Sequence, residues 1–171
     1  MELLVVRHAI AEEREDFART GRDDSERPLT SEGRRKMKSA AEGLRKIVHS
    51  IDVLASSPFT RAWQTAEIVS REFSELAIER VDALEPEGAP DDFLAWLGTH
   101  EGGDEKRIAV VGHEPHLSGL VTWLMTGDTG HIIEFKKGGA CLLSLHGKAK
   151  EGVATLVWAM QPGQLRAISR A

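Results

Sequence analysis

Apolar positions along this chain follow two rhythms. Short, almost unbroken apolar runs occur at Met1–Val6, Ile51–Ala55 and Ile108–Val111, and again late in the chain at Ala140–Leu145 and Val153–Met160. Runs this short suit strands covered on both faces. Between them, apolar residues recur at helical spacing. Met37, Ala41, Leu44 and Val48 form one stripe behind a helix start at Thr30-Ser31-Glu32, where a hydroxyl can cap and an acid sits in the first turn. A second helix is predicted from about Thr60 to Phe73 with Trp63, Ala66, Ile68 and Val69 inward. A third opens at Asp91-Asp92 and carries Phe93, Leu94, Trp96 and Leu97. Pro115 suits the first turn of a fourth, running to about Met125. Ala77–Val81 reads as one more short strand. The segment Ile10–Pro28 is dense in Glu, Asp and Arg, has no period, and is expected to be an exposed loop over a sheet edge.

Alternating strands and helices indicate an α/β fold: a three-layer α/β/α sandwich with a mostly parallel central sheet. The last two strands lack a helix between them, which predicts an antiparallel strand at one end of the sheet. A length of 171 residues suits a single domain spanning 1–171. The net charge of −5, from 22 basic and 27 acidic residues, argues against a nucleic-acid partner. No apolar run approaches the roughly 18 residues of a membrane span, so no membrane partner is expected. The N-terminus enters a strand at once, without a signal-peptide pattern, and Cys141 is the lone cysteine. Both features point to a cytoplasmic protein, with Cys141 a small buried hydrophobe.

Three apolar strands run straight into polar turns. The first ends at Arg7-His8, the second at Ser56-Ser57-Pro58 with Arg61 following, and the third at Gly112-His113. In a parallel sheet all three ends share one edge, where open α/β sheets build their sites. Singly, each of these residues is an ordinary strand-end or helix residue. Together, Arg7, His8, Arg61 and His113 form an oxyanion clamp. Neutral imidazole attacks phosphorus, and fixed cations hold the charge of a phosphoryl group in flight. His113 and His116 are three apart and Pro115 interrupts them, whereas a helical zinc signature needs histidines four apart. No metal and no other cofactor is expected.

The chain resembles the histidine phosphatase superfamily, with its phosphoglycerate mutase-like fold, and within it the short phosphohistidine phosphatases of the SixA type. The matching pieces are Val6-Arg7-His8, Arg27-Pro28-Leu29-Thr30 with Gly33, Ser57-Pro58-Phe59-Thr60-Arg61-Ala62 with Gln64-Thr65, Gly112-His113-Glu114-Pro115, and Trp158-Ala159-Met160-Gln161-Pro162. The resemblance implies that His8 is the nucleophile and becomes phosphorylated, that Arg7, Arg61 and His113 bind the phosphoryl oxygens, and that Arg27 adds a further phosphate contact.

Two departures stand out. Ala9 occupies the position where the superfamily usually has glycine. Relatives that cleave phosphate esters supply a carboxylic acid from the segment that is here Asp82–Gly88, and spacing puts that acid nearer Ala83 than Glu85, the best available candidate. An alkoxide leaving group, whose conjugate acid has a pKa near that of water, about 15–16, needs a well-placed acid. Imidazole, with a pKa of about 6.5, leaves readily without one. The leading expectation is therefore a metal-independent phosphatase acting on phosphohistidine in a protein, such as a histidine phosphotransfer domain. The alternatives are a phosphomonoesterase acting on a small phosphorylated substrate, or a catalytically weak phosphate-binding module.

Overall fold

The structure is a computed structural model and describes residues 1–100 and 106–171. In chain order the elements are β1 (Glu2–Arg7), α1 (Arg14–Ala18), α2 (Ser31–Ile47), β2 (Val53–Ser56), α3 (Thr60–Glu72), β3 (Ile78–Arg80), α4 (Pro90–Gly98), β4 (Arg107–Gly112), α5 (His116–Thr126), β5 (Ala140–Leu145), β6 (Ala154–Met160) and α6 (Pro162–Arg170). Single 3-10 turns lie at Asp24–Glu26 and Asp82–Leu84.

Among the described residues the sheet has six strands, ordered β3-β2-β4-β1-β5-β6. The strands β1 to β4 are mutually parallel, while β5 runs antiparallel to both β1 and β6. The last two strands thus form an antiparallel pair at one end of the sheet, as expected, with β5 reversed and the tight connection returning β6 to the common direction.

Alternation along β1 builds the three layers. Leu4 and Val6 join a core with Met37, Ala41, Leu44, Ala66, Val69 and Leu165, under α2, α3 and α6. Leu3 and Val5 face the opposite way, into a core with Phe93, Leu97, Leu117, Leu120 and Leu124, under α4 and α5. Successive strand side chains point to opposite faces, so an unbroken apolar strand must be covered twice. The predicted stripe of α2 is fully buried, and Thr30 caps the helix by accepting the Gly33 N–H at 2.9 Å. Cys141 is buried, and that burial pushes its thiol up to about 12, in keeping with a packing role.

Three expectations are corrected. Trp63 is only half-buried and lines a groove with Gln64 and Arg80; Ala66, Ile68 and Val69 are buried as expected, and Ala62 and Thr65 complete the inward face of α3 in place of Trp63. The segment 10–28 is not a plain loop. Ala11 bridges to Leu29, α1 buries Phe17, and a 3-10 turn follows. Elements of three to five residues are too short to show a period. The C-terminal helix α6, absent from the sequence reading, packs on α2 so closely that a Cβ on Gly43 would lie 2.0 Å from the Leu165 carbonyl oxygen. Pro162 at its start and a capping box between Gln161 and Gln164 define its first turn.

Candidate active site

The parallel strands deliver their C-terminal ends to one edge in register. Arg7 of β1 lies opposite Gly112 of β4, and Ser56 of β2 lies opposite Val111. The ladder continues one step past each strand: His8 N–H donates to Gly112 O and Ser57 N–H to Val111 O, both at 3.0 Å. The next residue of β4 is His113, so its ring falls between the two flanking strand ends. The His8 and His113 rings stand 5.1 Å apart, and Arg61, in the first turn of α3, adds its charge to both. The four strand-end residues singled out from sequence are therefore gathered in one place. All but Arg7, which is half-buried, are buried.

His8 is the most constrained of them. Its Nδ1 lies 2.7 Å from the Ala9 carbonyl oxygen. A carbonyl only accepts, so Nδ1 carries the ring hydrogen and Nε2 keeps a free lone pair. Burial first, then the charges of Arg61, Arg7 and Arg27, lower its pKa to about 3, against the opposing Ala9 bond. The imidazole is neutral at physiological pH. Ala9, where a methyl replaces the usual hydrogen, is itself buried, and its N–H donates to Thr65 Oγ1 at 3.0 Å. Thr65 in turn donates to the Arg61 carbonyl at 2.7 Å. One hydroxyl thus couples the nucleophile strand to the helix that carries Arg61.

His113 Nε2 is 2.9 Å from Ser57 Oγ. Burial first, then His8, Arg61 and His116, push its pKa down to about 2. The tautomer in which Ser57 donates to Nε2 puts the ring proton on Nδ1, where no acceptor among the described residues meets it. Arg7 Nε and Arg61 Nε are also buried without a partner among the described residues. Unpaired buried donors cost about 1–3 kcal/mol each, and a cluster of them beside a nucleophile suits an oxyanion, which accepts them all.

The terminal guanidinium nitrogens of Arg61 are held by a group that sequence did not indicate. Arg61 donates to the Asp24 carbonyl at 2.8 Å and pairs with Asp24 Oδ2 at 3.1 Å. Arg27 Nε donates to Asp24 Oδ1 at 2.8 Å, and its NH1 to Glu12 O at 2.7 Å. Arg14 reaches the same carboxylate at 3.4 Å. Burial raises the Asp24 pKa, but bonds from Arg27 and Arg14 and the charges of Arg61 and Arg27 outweigh it and hold the group at about 2. Arg61, lowered to about 10 chiefly by burial, stays cationic. Asp24 thus links Arg61 and Arg27. Its one sequence trace is the spacing Asp24 to Arg27, three apart across a 3-10 turn.

Arg7 NH1 donates to the Phe135 carbonyl. Glu114 fastens that segment by accepting from Phe135 N–H at 3.0 Å and from Ser118 Oγ at 2.6 Å. Glu85 is half-buried after the turn Asp82–Leu84, its charge acts on Arg80, and among the described residues it makes no hydrogen bond or ion pair with His8, Arg7, Arg61 or His113. Among the described residues, no three His, Cys, Asp or Glu side chains stand close enough together to hold a metal ion, and no helix is long and apolar enough to cross a membrane.

Residues 3–85 match the model of the histidine phosphatase superfamily (branch 1). An uncharacterized protein of Picosynechococcus is 35% identical over 139 residues, covering 81% of this chain and 82% of that one. Among solved structures, the protein histidine phosphatase SixA, complexed with tungstate, superposes with a TM-score of 0.81 at 27% identity, over 96% of this chain and 99% of that one. A phosphoglycerate mutase from Plasmodium falciparum shares the fold, with a TM-score of 0.65 at 16% identity over 92% and 88% of the two chains. Sequence and topology agree, and the chain belongs to the histidine phosphatase superfamily, as a phosphatase of the SixA type.

Proposed function

We propose that this phosphatase removes phosphate from phosphohistidine in a phosphotransfer protein, through a covalent intermediate on His8. The observation that carries the proposal is the hydrogen bond from His8 Nδ1 to Ala9 O, which leaves an unprotonated Nε2 among buried cationic donors. In the first step the Nε2 lone pair attacks phosphorus as the substrate P–N bond breaks. The departing imidazole, protonated on its other nitrogen, leaves neutral. In the second step water attacks the phosphorus of phospho-His8, inorganic phosphate departs with the oxygen of that water, and Nε2 recovers its lone pair. Arg7, Arg61 and His113 hold the equatorial oxygens through donors that have no partner among the described residues. Arg27 supports Arg61 through Asp24.

The bonding of the nearby carboxyl groups favours phosphohistidine over an alkyl phosphate. Among the described residues the carboxyl group bonded to the four central residues is Asp24, on Arg61, and its arginines hold it ionised; an alkoxide therefore lacks a carboxylic acid donor there, whereas imidazole needs little help. The SixA likeness, named for a protein histidine phosphatase, supports the same choice.

The test is turnover of a phosphohistidine-bearing domain, free phosphohistidine, para-nitrophenyl phosphate and small alkyl phosphates, with and without His8→Ala. Hydrolysis of the phosphohistidine substrates, slow turnover of alkyl phosphates, and loss of all activity in His8→Ala are expected. Activity that survives His8→Ala overturns the mechanism, and preference for alkyl phosphates overturns the substrate class.

A further inference from the structure

Arg7 separates two grooves of opposite character. On one side, Glu114 and Glu134 line a depression with Pro115 and Ser118. On the other, a groove of ≈ 480 Å³ opens between α2, α6 and the loop before β5, within the roughly 300–1,000 Å³ of ordinary ligand sites. Its lining includes Arg7, Lys36, Lys136, Lys137 and Arg166, over an apolar floor that includes Met37 and Pro162, and no carboxylate of the described residues lines it. Lys36 shares its charge with Glu32, at 2.6 Å, on its solvent side. Five cations in one lining, on a chain of net charge −5, mark a local reversal of sign.

This groove is tied to the nucleophile. Gly138, at φ +82°, donates its N–H to the carbonyls of both Arg7 and His8, at 3.2 and 3.1 Å. Arg7 N–H returns a bond to Gly139 O at 3.0 Å. Lys136 N–H is anchored to Gln161 Oε1, at 3.0 Å, just ahead of α6. The left-handed conformation at Gly138 suits glycine. It seats the two exposed lysines of the loop one and two residues before a bond to the reacting residue.

From this placement we infer that the groove is the docking subsite for the protein segment that carries the phosphohistidine, and that it selects a segment with acidic residues beside the modified histidine. The inference rests on the phosphohistidine reading and adds to it the sign and side of the recognised flank. An extended segment advances about 3.3 Å per residue, so a carboxylate one to three residues from the phosphohistidine falls over the lysines, while its apolar neighbours meet Met37 and Pro162. The acidic wall on the far side of Arg7 repels the same flank.

The experiment uses three synthetic phosphohistidine peptides of one length, flanked by Glu, Gln or Lys, together with free phosphohistidine. The proteins are the full chain and its Lys136→Glu/Lys137→Glu/Arg166→Glu variant, checked by circular dichroism and thermal melting. The wild type is expected to prefer the Glu-flanked over the Lys-flanked peptide by about tenfold or more in kcat/KM at low salt, with the preference shrinking at high salt. The variant is expected to invert that order and to keep wild-type activity on free phosphohistidine. Equal kcat/KM across the peptides in the wild type overturns the subsite, as does an equal loss on every substrate in the variant, and in either case the phosphatase reading stands. Failure of the wild type to hydrolyse any phosphohistidine substrate overturns that reading and the subsite with it.

Discussion

The neutral state of the two central imidazoles makes a direct thermodynamic prediction. In the unfolded chain, histidine takes up a proton near pH 6.5. In the folded protein, burial and neighbouring guanidinium charges hold His8 near 3 and His113 near 2. Between those limits the unfolded state binds more protons, so stability rises with pH and is lost as pH falls below about 6.5. At pH 5 each unfolded imidazole is almost fully charged and each folded one neutral. The loss from pH 7 to pH 5 is then about 2 kcal/mol per ring and about 4 kcal/mol for the pair. His116, also lowered by burial, acts in the same direction. Carboxylates held below their ordinary values, Asp24 foremost, contribute stability that is lost only under about pH 4 and so lie outside the window. The assay is urea unfolding at pH 7 and pH 5 of the wild type and of His8→Asn/His113→Asn. The wild type is expected to lose about 4 kcal/mol more than the double variant over that interval. Equal losses would mean that the folded rings accept protons freely, and the case for a neutral, dry nucleophile would fail with them.

Other outcomes follow from the same geometry. Asp24→Asn removes the charge that links Arg61 and Arg27 and is expected to lower kcat/KM about tenfold and to weaken vanadate inhibition in parallel; a gain in both would identify Asp24 as a competitor for the phosphate instead. Gly43→Ala places a Cβ 2.0 Å from Leu165 O and is expected to cost about 3 kcal/mol in urea unfolding, or to detach α6. Tungstate soaked into crystals is expected beside His8 Nε2, in contact with Arg7, Arg61 and His113; density elsewhere would contradict the site. Prolonged EDTA treatment is expected to leave turnover intact, and loss reversed by a divalent ion would contradict the metal-free mechanism.

What the sequence alone settled is whatever neighbours along the chain decide. Five apolar runs bounded by polar turns marked β1, β2, β4, β5 and β6, because a strand buried on both faces has no polar position to spare. Thr30 announced α2, because a cap acts within three residues. The strand-end position of Arg7, His8, Arg61 and His113 was readable because parallel strands bring like ends to one edge. Tertiary structure decided the rest. The role of Asp24 depends on Arg61, far along the chain on another element, and that of Glu114 on a loop around Phe135. The docking of α6 rests on the missing side chain of Gly43. Composition and periodicity record which residues want burial. Which charge meets which is set only when segments distant in sequence pack together, and low local dielectric then turns those meetings into shifted ionisation and a nucleophile with a free lone pair.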